Sequence, residues 1–120
     1  MGENNKQFDL EERTARYAEH VAVFCNKLPK TLSNIEHCKQ IIRSSGSVAS
    51  NYIEANESLS KKDLVYRLKI CRKEAKESAL WARIMKKTNT EDALHQLEIF
   101  YNEAIELKKI FSVIITKNGG

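Results

Sequence analysis

Proline and glycine, the residues that let a chain double back, are nearly missing from this sequence. Among 120 residues there are one Pro and four Gly, two of them the terminal Gly119 and Gly120. Hairpins and short strands need such residues at their turns, so an all-β fold and a collagen-like chain are excluded. Long uninterrupted runs remain. The length suits one domain, whose single core takes roughly two-thirds of the unfolded surface out of water.

The runs carry helical periodicity. Leu10, Thr14, Tyr17, Val21, Phe24 and Leu28 recur at spacings of four and three, a helix packed along its length that stops near Pro29. Ser33 with Glu36 reads as a capping box opening a second helix, whose Ile35, Cys38, Ile42, Ala49 and Ile53 share one side and reach to about Ser58. The Ser44 to Ser50 run inside it keeps the helical phase, so its small residues read as a place where another helix comes close. Ser60 and Asp63 cap a third helix, with Leu64, Leu68, Cys71, Ala75, Ala82 and Met85 along it to about Lys87. Thr90 opens the fourth, on which Ala93, Leu97, Phe100, Ala104, Leu107, Phe111 and Ile114 form an unbroken seam.

Short connections between long helices favour antiparallel neighbours. The expected fold is therefore all-α, an antiparallel up-down-up-down four-helix bundle over residues 9–117, with a flexible tail at 1–8 and another at 118–120. On the fourth helix apolar side chains, Ile105, Ile110 and Ile115 among them, cover roughly 220° of the circumference, more than the arc of little over 100° that a bundle helix buries. That surplus invites self-association, with cover by loops or the N-terminal tail as the alternative.

Charge is distributed unevenly. The formal net charge is +4, yet Ser60 to Thr88 holds ten basic residues against three acidic, a net of +7, which leaves −3 for the rest. Nine of those ten basic residues fall within about 140° of the third helix, a lengthwise band opposite its Cys71, Ala75, Ala82 stripe. Lys62, Lys69, Arg72, Lys73, Lys76, Arg83 and Lys87 are the candidate contacts to RNA or DNA phosphates, bound by counterion release without base reading. The alternatives are a solvated face and a scaffold that docks an acidic protein partner. On the second helix Arg43, Ser47, Asn51 and Glu54 form a polar line, and Arg43 with Glu74 and Glu77 is the candidate for a buried or interfacial network that sets register.

Other chemistries find little support. Cys25, Cys38 and Cys71 are odd in number and widely spaced, which suits core thiols better than disulfides or a zinc clip. A di-iron bundle needs two Glu-x-x-His motifs, and only Asp92 with His95 comes near one. Gly46 stands alone, with no phosphate-binding loop around it, and no nucleophile-base spacing is present. No enzyme, metal or cofactor is expected. Lacking a signal peptide or a long uncharged apolar stretch, the chain is expected in the cytoplasm, with no membrane association.

One stretch carries a resemblance. Arg43, Ser44, Ser47, Val48, Asn51 and Glu54 fill an RS-x-x-S-[IV]-x-x-N-x-x-E pattern, preceded by Leu28-Pro29-Lys30 and followed by Ser60, Glu74, Glu77 and Trp81. In these residues, and over about residues 9 to 115, the chain resembles the four-helix-bundle proteins encoded in intervening sequences of bacterial large-subunit ribosomal RNA genes. The resemblance implies a ring, commonly a homopentamer, and no catalytic activity. Similar proteins include the accessory variability determinant of diversity-generating retroelements, whose basic surface engages nucleic acid and a reverse transcriptase; both are implied as possible partners. This chain has Ala55 where such proteins more often have Gly, a favourable replacement in a helix.

Overall fold

The computed structural model describes residues 2–120, with side chains from residue 10 onward. It holds four helices, α1 (Gly2–Lys27), α2 (Leu32–Asn56), α3 (Lys61–Thr88) and α4 (Glu91–Lys117). The tail expected over residues 1–8 falls on residues whose side chains lie outside those described. Each helix returns beside its predecessor: Asn56 at the end of α2 bonds Glu11 near the start of α1, and Arg72 of α3 reaches Ser112 of α4. The bundle measures 45 × 27 × 18 Å. Its central helix is α3, packed lengthwise on both α2 and α4, whereas α1 leans mainly on α2.

Caps follow local chemistry with one correction. The Ser60 hydroxyl accepts from the Asp63 amide at 3.1 Å, as the sequence predicts. The capping box at Ser33 and Glu36 does not form, because α2 begins earlier. Thr31 is its cap, accepting from the Asn34 amide at 3.1 Å, while the Asn34 side chain donates to the Pro29 carbonyl at 3.0 Å and exchanges bonds of 2.9 Å with Asn89. A contact to the far end of α3 thus decides where α2 starts. At the C-terminus Gly119 adopts φ 83° and the Gly120 amide returns to the Ile115 carbonyl at 3.0 Å, a Schellman closure that needs glycine in the left-handed region.

The seams of α1, α3 and α4 lie where the periodicity puts them, with Val21, Leu68, Cys71, Ala82, Met85, Leu97 and Phe111 fully buried. The seam of α2 is shifted. Ile35, Ile42 and Ile53, expected in the core, are 40%, 39% and 51% exposed, and the buried residues are Asn34, Ile41, Ser44, Ser45, Val48, Tyr52 and Ala55. The reason is that α2 lies between two helices and meets them through small side chains whose hydroxyls are satisfied locally. Ser44 and Ser45 sit near the carbonyls three residues back, and the Ser44 hydroxyl lies 2.8 Å from that of Ser78 on α3. Serines hidden this way pack as small residues, so reading them as polar rotates the apparent seam.

On α4, Tyr101, Ile105, Ile110 and Ile114 pack against the core cluster. Ile99 and Val113 are the large apolar residues of α4 left exposed, at 45% and 52%. The apolar surplus of that helix is thus mostly covered within the chain.

Candidate nucleic-acid interface

The basic band lies along α3, and its geometry follows from helix pitch: Lys62 and Lys87 are 25 residues apart, about 38 Å along the axis. Lys62, Lys69, Lys73, Lys76, Arg83 and Lys87 are exposed. Arg72 is half-buried, its guanidinium held toward α4 by a 3.5 Å bond to the Ser112 hydroxyl. Lys69, Arg72, Lys73, Lys76, Glu77 and Leu80 line a shallow hollow of about 480 Å³. Lys86, also basic, is engaged by Glu98 and lies over the Tyr101 ring, 4.8 Å from its centroid. Among the described residues none of the seven candidate cations stands within 4.0 Å of a carboxylate, although six ion pairs form elsewhere. The band is uncompensated charge.

The polar line of α2 faces α3 and has partners there. The Arg43 guanidinium donates to both Glu74 oxygens at 3.1 and 3.5 Å and to Glu77 at 3.0 Å. The Glu74 side chain is 8% exposed and Arg43 51%, so one arm of the network is dry and the other wet. Glu74, by hydrogen bond and then by charge, holds the Arg43 guanidinium above its ordinary value. Lower down, the Asn51 amide donates to the Ser47 carbonyl and hydroxyl at 2.9 and 3.0 Å and accepts from Arg67 at 3.1 Å. Glu54 is exposed and lines a hollow of about 320 Å³ with Glu57, Asp63, Tyr66 and Arg67. Of the four line residues, Arg43 and Asn51 thus bond α3, Ser47 holds Asn51 within α2, and Glu54 is exposed.

Several contacts escaped sequence reading: Arg67 with Asn51, Ser44 with Ser78, and the Asn34 and Asn89 exchange. A clue was present for the first two, since Ser44 and Asn51 both belong to the RS-x-x-S-x-x-N-x-x-E pattern. A fourth is Arg13, which clamps Glu103 through two bonds of 2.6 and 2.8 Å across a groove of about 760 Å³ between α1 and α4. No three His, Cys, Asp or Glu side chains converge among the described residues, and His95 is exposed. Among the described residues no helix is long and apolar enough to cross a membrane.

Comparison with known proteins places this geometry. Residues 6–113 match the family model described as 23S rRNA-intervening sequence protein. A crystal structure of a protein of unknown function from the S23 ribosomal protein family, from Bacteroides thetaiotaomicron VPI-5482, is similar at 26% identity and a TM-score of 0.80, covering 92% of this chain and 98% of that one. No curated protein matches the sequence.

Proposed function

The chain belongs to the 23S rRNA-intervening sequence protein family, and on that premise we propose that it is a non-enzymatic, self-associating accessory protein whose α3 band binds the phosphate backbone of RNA or DNA. One observation carries the reading: seven cations aligned over about 38 Å of one helix, none neutralised by a carboxylate of the described residues. Where the described residues form six other ion pairs, such a band stores electrostatic free energy that a polyanion releases. Nothing around it resembles a base-reading device; six of the seven cations are exposed side chains along one helix. Binding is therefore sequence-tolerant and steeply dependent on salt.

Self-association multiplies the effect, because bands repeated around an assembly let weak phosphate contacts add through effective concentration. A pentamer, as the family resemblance implies, is the assembly proposed. The test is fluorescence anisotropy with labelled RNA and DNA of mixed sequence over a range of salt. If about five phosphates are neutralised, log K falls against log salt with a slope of about −4 to −5. Reversing Arg72, Lys73 and Lys76 to Glu abolishes binding and leaves the circular dichroism unchanged. No binding at about 50 mM salt, where such contacts are strong, overturns the reading in favour of an acidic protein partner or a solvated face.

A further inference from the structure

Tyr66 is the one aromatic ring that the described residues leave exposed, at 61%. It lies on α3, inside the stretch that carries the basic band. Helix geometry fixes its neighbours: the residues four before and three after a position lie along one edge, and those three before and four after lie along the other. For Tyr66 the first pair is Lys62 and Lys69, both exposed, about 6 Å and about 4.5 Å away along the axis. The second pair is Asp63 and Ile70, and Asp63 shares the hollow of about 320 Å³ with Glu54 and Glu57. Glu77, about three turns further along, is bonded to Arg43. The ring thus stands on a boundary, with cations along one edge and carboxylates along the other.

The ring is also backed. The Arg67 guanidinium lies over it, 5.7 Å from the centroid, and is anchored by its 3.1 Å bond to the Asn51 side-chain oxygen. Asn51 is held in turn by its bonds to the Ser47 carbonyl and hydroxyl at 2.9 and 3.0 Å. Ser47 and Asn51 belong to the RS-x-x-S-x-x-N-x-x-E pattern, and this run of contacts carries them to the surface, where a fixed cation supports an exposed tyrosine. A ring held in place this way loses little freedom when something stacks on it.

Phosphates alone do not call for such a ring. A duplex brings its backbone to the lysines with its bases paired and stacked inside, whereas an unpaired base offers a face that stacks on an aromatic side chain whatever the base. We propose that Tyr66 is a stacking platform for an unpaired base, so that the α3 band takes single-stranded nucleic acid in preference to duplex. The strand's phosphates follow Lys62, Lys69 and Lys73. Asp63, Glu54 and Glu57 on the other edge repel phosphate, which keeps the backbone on the lysine side and turns the base toward the ring. Stacking reads no base edge, so the preference is for an unpaired strand and not for a sequence. The inference rests on the phosphate binding proposed above and names the form of nucleic acid that it serves.

Fluorescence anisotropy with three probes of equal length tests it: a mixed-sequence DNA strand, a strand of tetrahydrofuran abasic sites with the same phosphates, and the duplex. Wild type binds the intact strand at least about 5-fold more tightly than the abasic strand, the gain from one stacked base, and more tightly than the duplex. Tyr66→Ala removes the difference between intact and abasic strands, while duplex binding and its salt slope stay unchanged because no cation is lost. Tyr66→Trp keeps the preference. Asn51→Ala, which frees Arg67 with its charge intact, lowers the preference part of the way at unchanged duplex affinity; an undiminished preference in this variant overturns the positioning by Arg67. Unchanged circular dichroism of Tyr66→Ala separates a lost platform from a lost fold. No binding of any probe at about 50 mM salt overturns the phosphate reading and this inference together. Equal binding of intact and abasic strands by wild type, a duplex bound as tightly as the strand, or a preference that survives Tyr66→Ala overturns the platform alone.

Discussion

At the scale of single residues, the polar groups between α2 and α3 are the most informative. Glu74 is buried and depends on a half-exposed partner, so Arg43→Met leaves its carboxylate without compensation. The expected cost is about 2 kcal/mol, less than the roughly 3–5 kcal/mol of a fully buried pair, and Arg43→Met with Glu74→Met recovers most of it. Urea denaturation of the two single variants and the double variant measures this coupling. The Ser44 and Ser78 hydroxyls, both buried and 2.8 Å apart, behave alike at smaller size. Either single Ala variant costs about 1 kcal/mol and the double variant little more, since removing one partner strands the other. Burial pushes the Cys71 thiol up to about 12, and burial also raises Cys25 and Tyr17. Raised values mean that the folded state keeps protons the unfolded chain has released. Stability from these groups is therefore full below about pH 8.5, the unfolded thiol value, and declines as pH climbs toward 12. Urea midpoints measured from pH 7 to 11 show a shallower alkaline decline for Cys71→Ala. That Arg43, Glu74 and Glu77 belong together was expected from the sequence; that Asn51 receives Arg67 was not.

At the scale of elements, the helices end where capping chemistry stops them, and tertiary contacts shift the ends by a residue or two. Thr31 and Ser60 make real capping bonds, whereas the Thr90 side chain makes none. Thr31→Ala and Ser60→Ala each cost about 1 kcal/mol, and Thr90→Ala only a few tenths, roughly 0.3 kcal/mol; thermal melts of the three rank them. Three of the four seams were legible because large apolar residues at spacings of three and four have a single burial solution. The α2 seam was not. Its core side contains serines that hide their hydroxyls against backbone carbonyls and each other, while its isoleucines face out. A pattern reader that equates burial with hydrophobicity rotates that helix toward Ile42, where the structure buries Ile41.

At the scale of the whole molecule, the packing is uneven and so is the charge. With α3 packed on both α2 and α4, and α1 resting mainly on α2, local opening starts at α1. Native-state hydrogen exchange is expected to show α1 amides exchanging before those of α3, and Arg13→Ala widens that difference by releasing the clamp on Glu103. The sequence by itself determined that the chain forms four long helices, that +7 of charge sits on the third, and that three seams bury specific residues. Those properties are local, set by turn residues, periodicity and the order of charges along a helix. Only the tertiary structure decided which side of α2 is covered, that the α4 surplus is folded inward, and that exposed apolar strips lie on α2 and α3. Each of these depends on how closely two helices approach, which is set by side chains on both at once, and no single helix's pattern contains the shape of its neighbour.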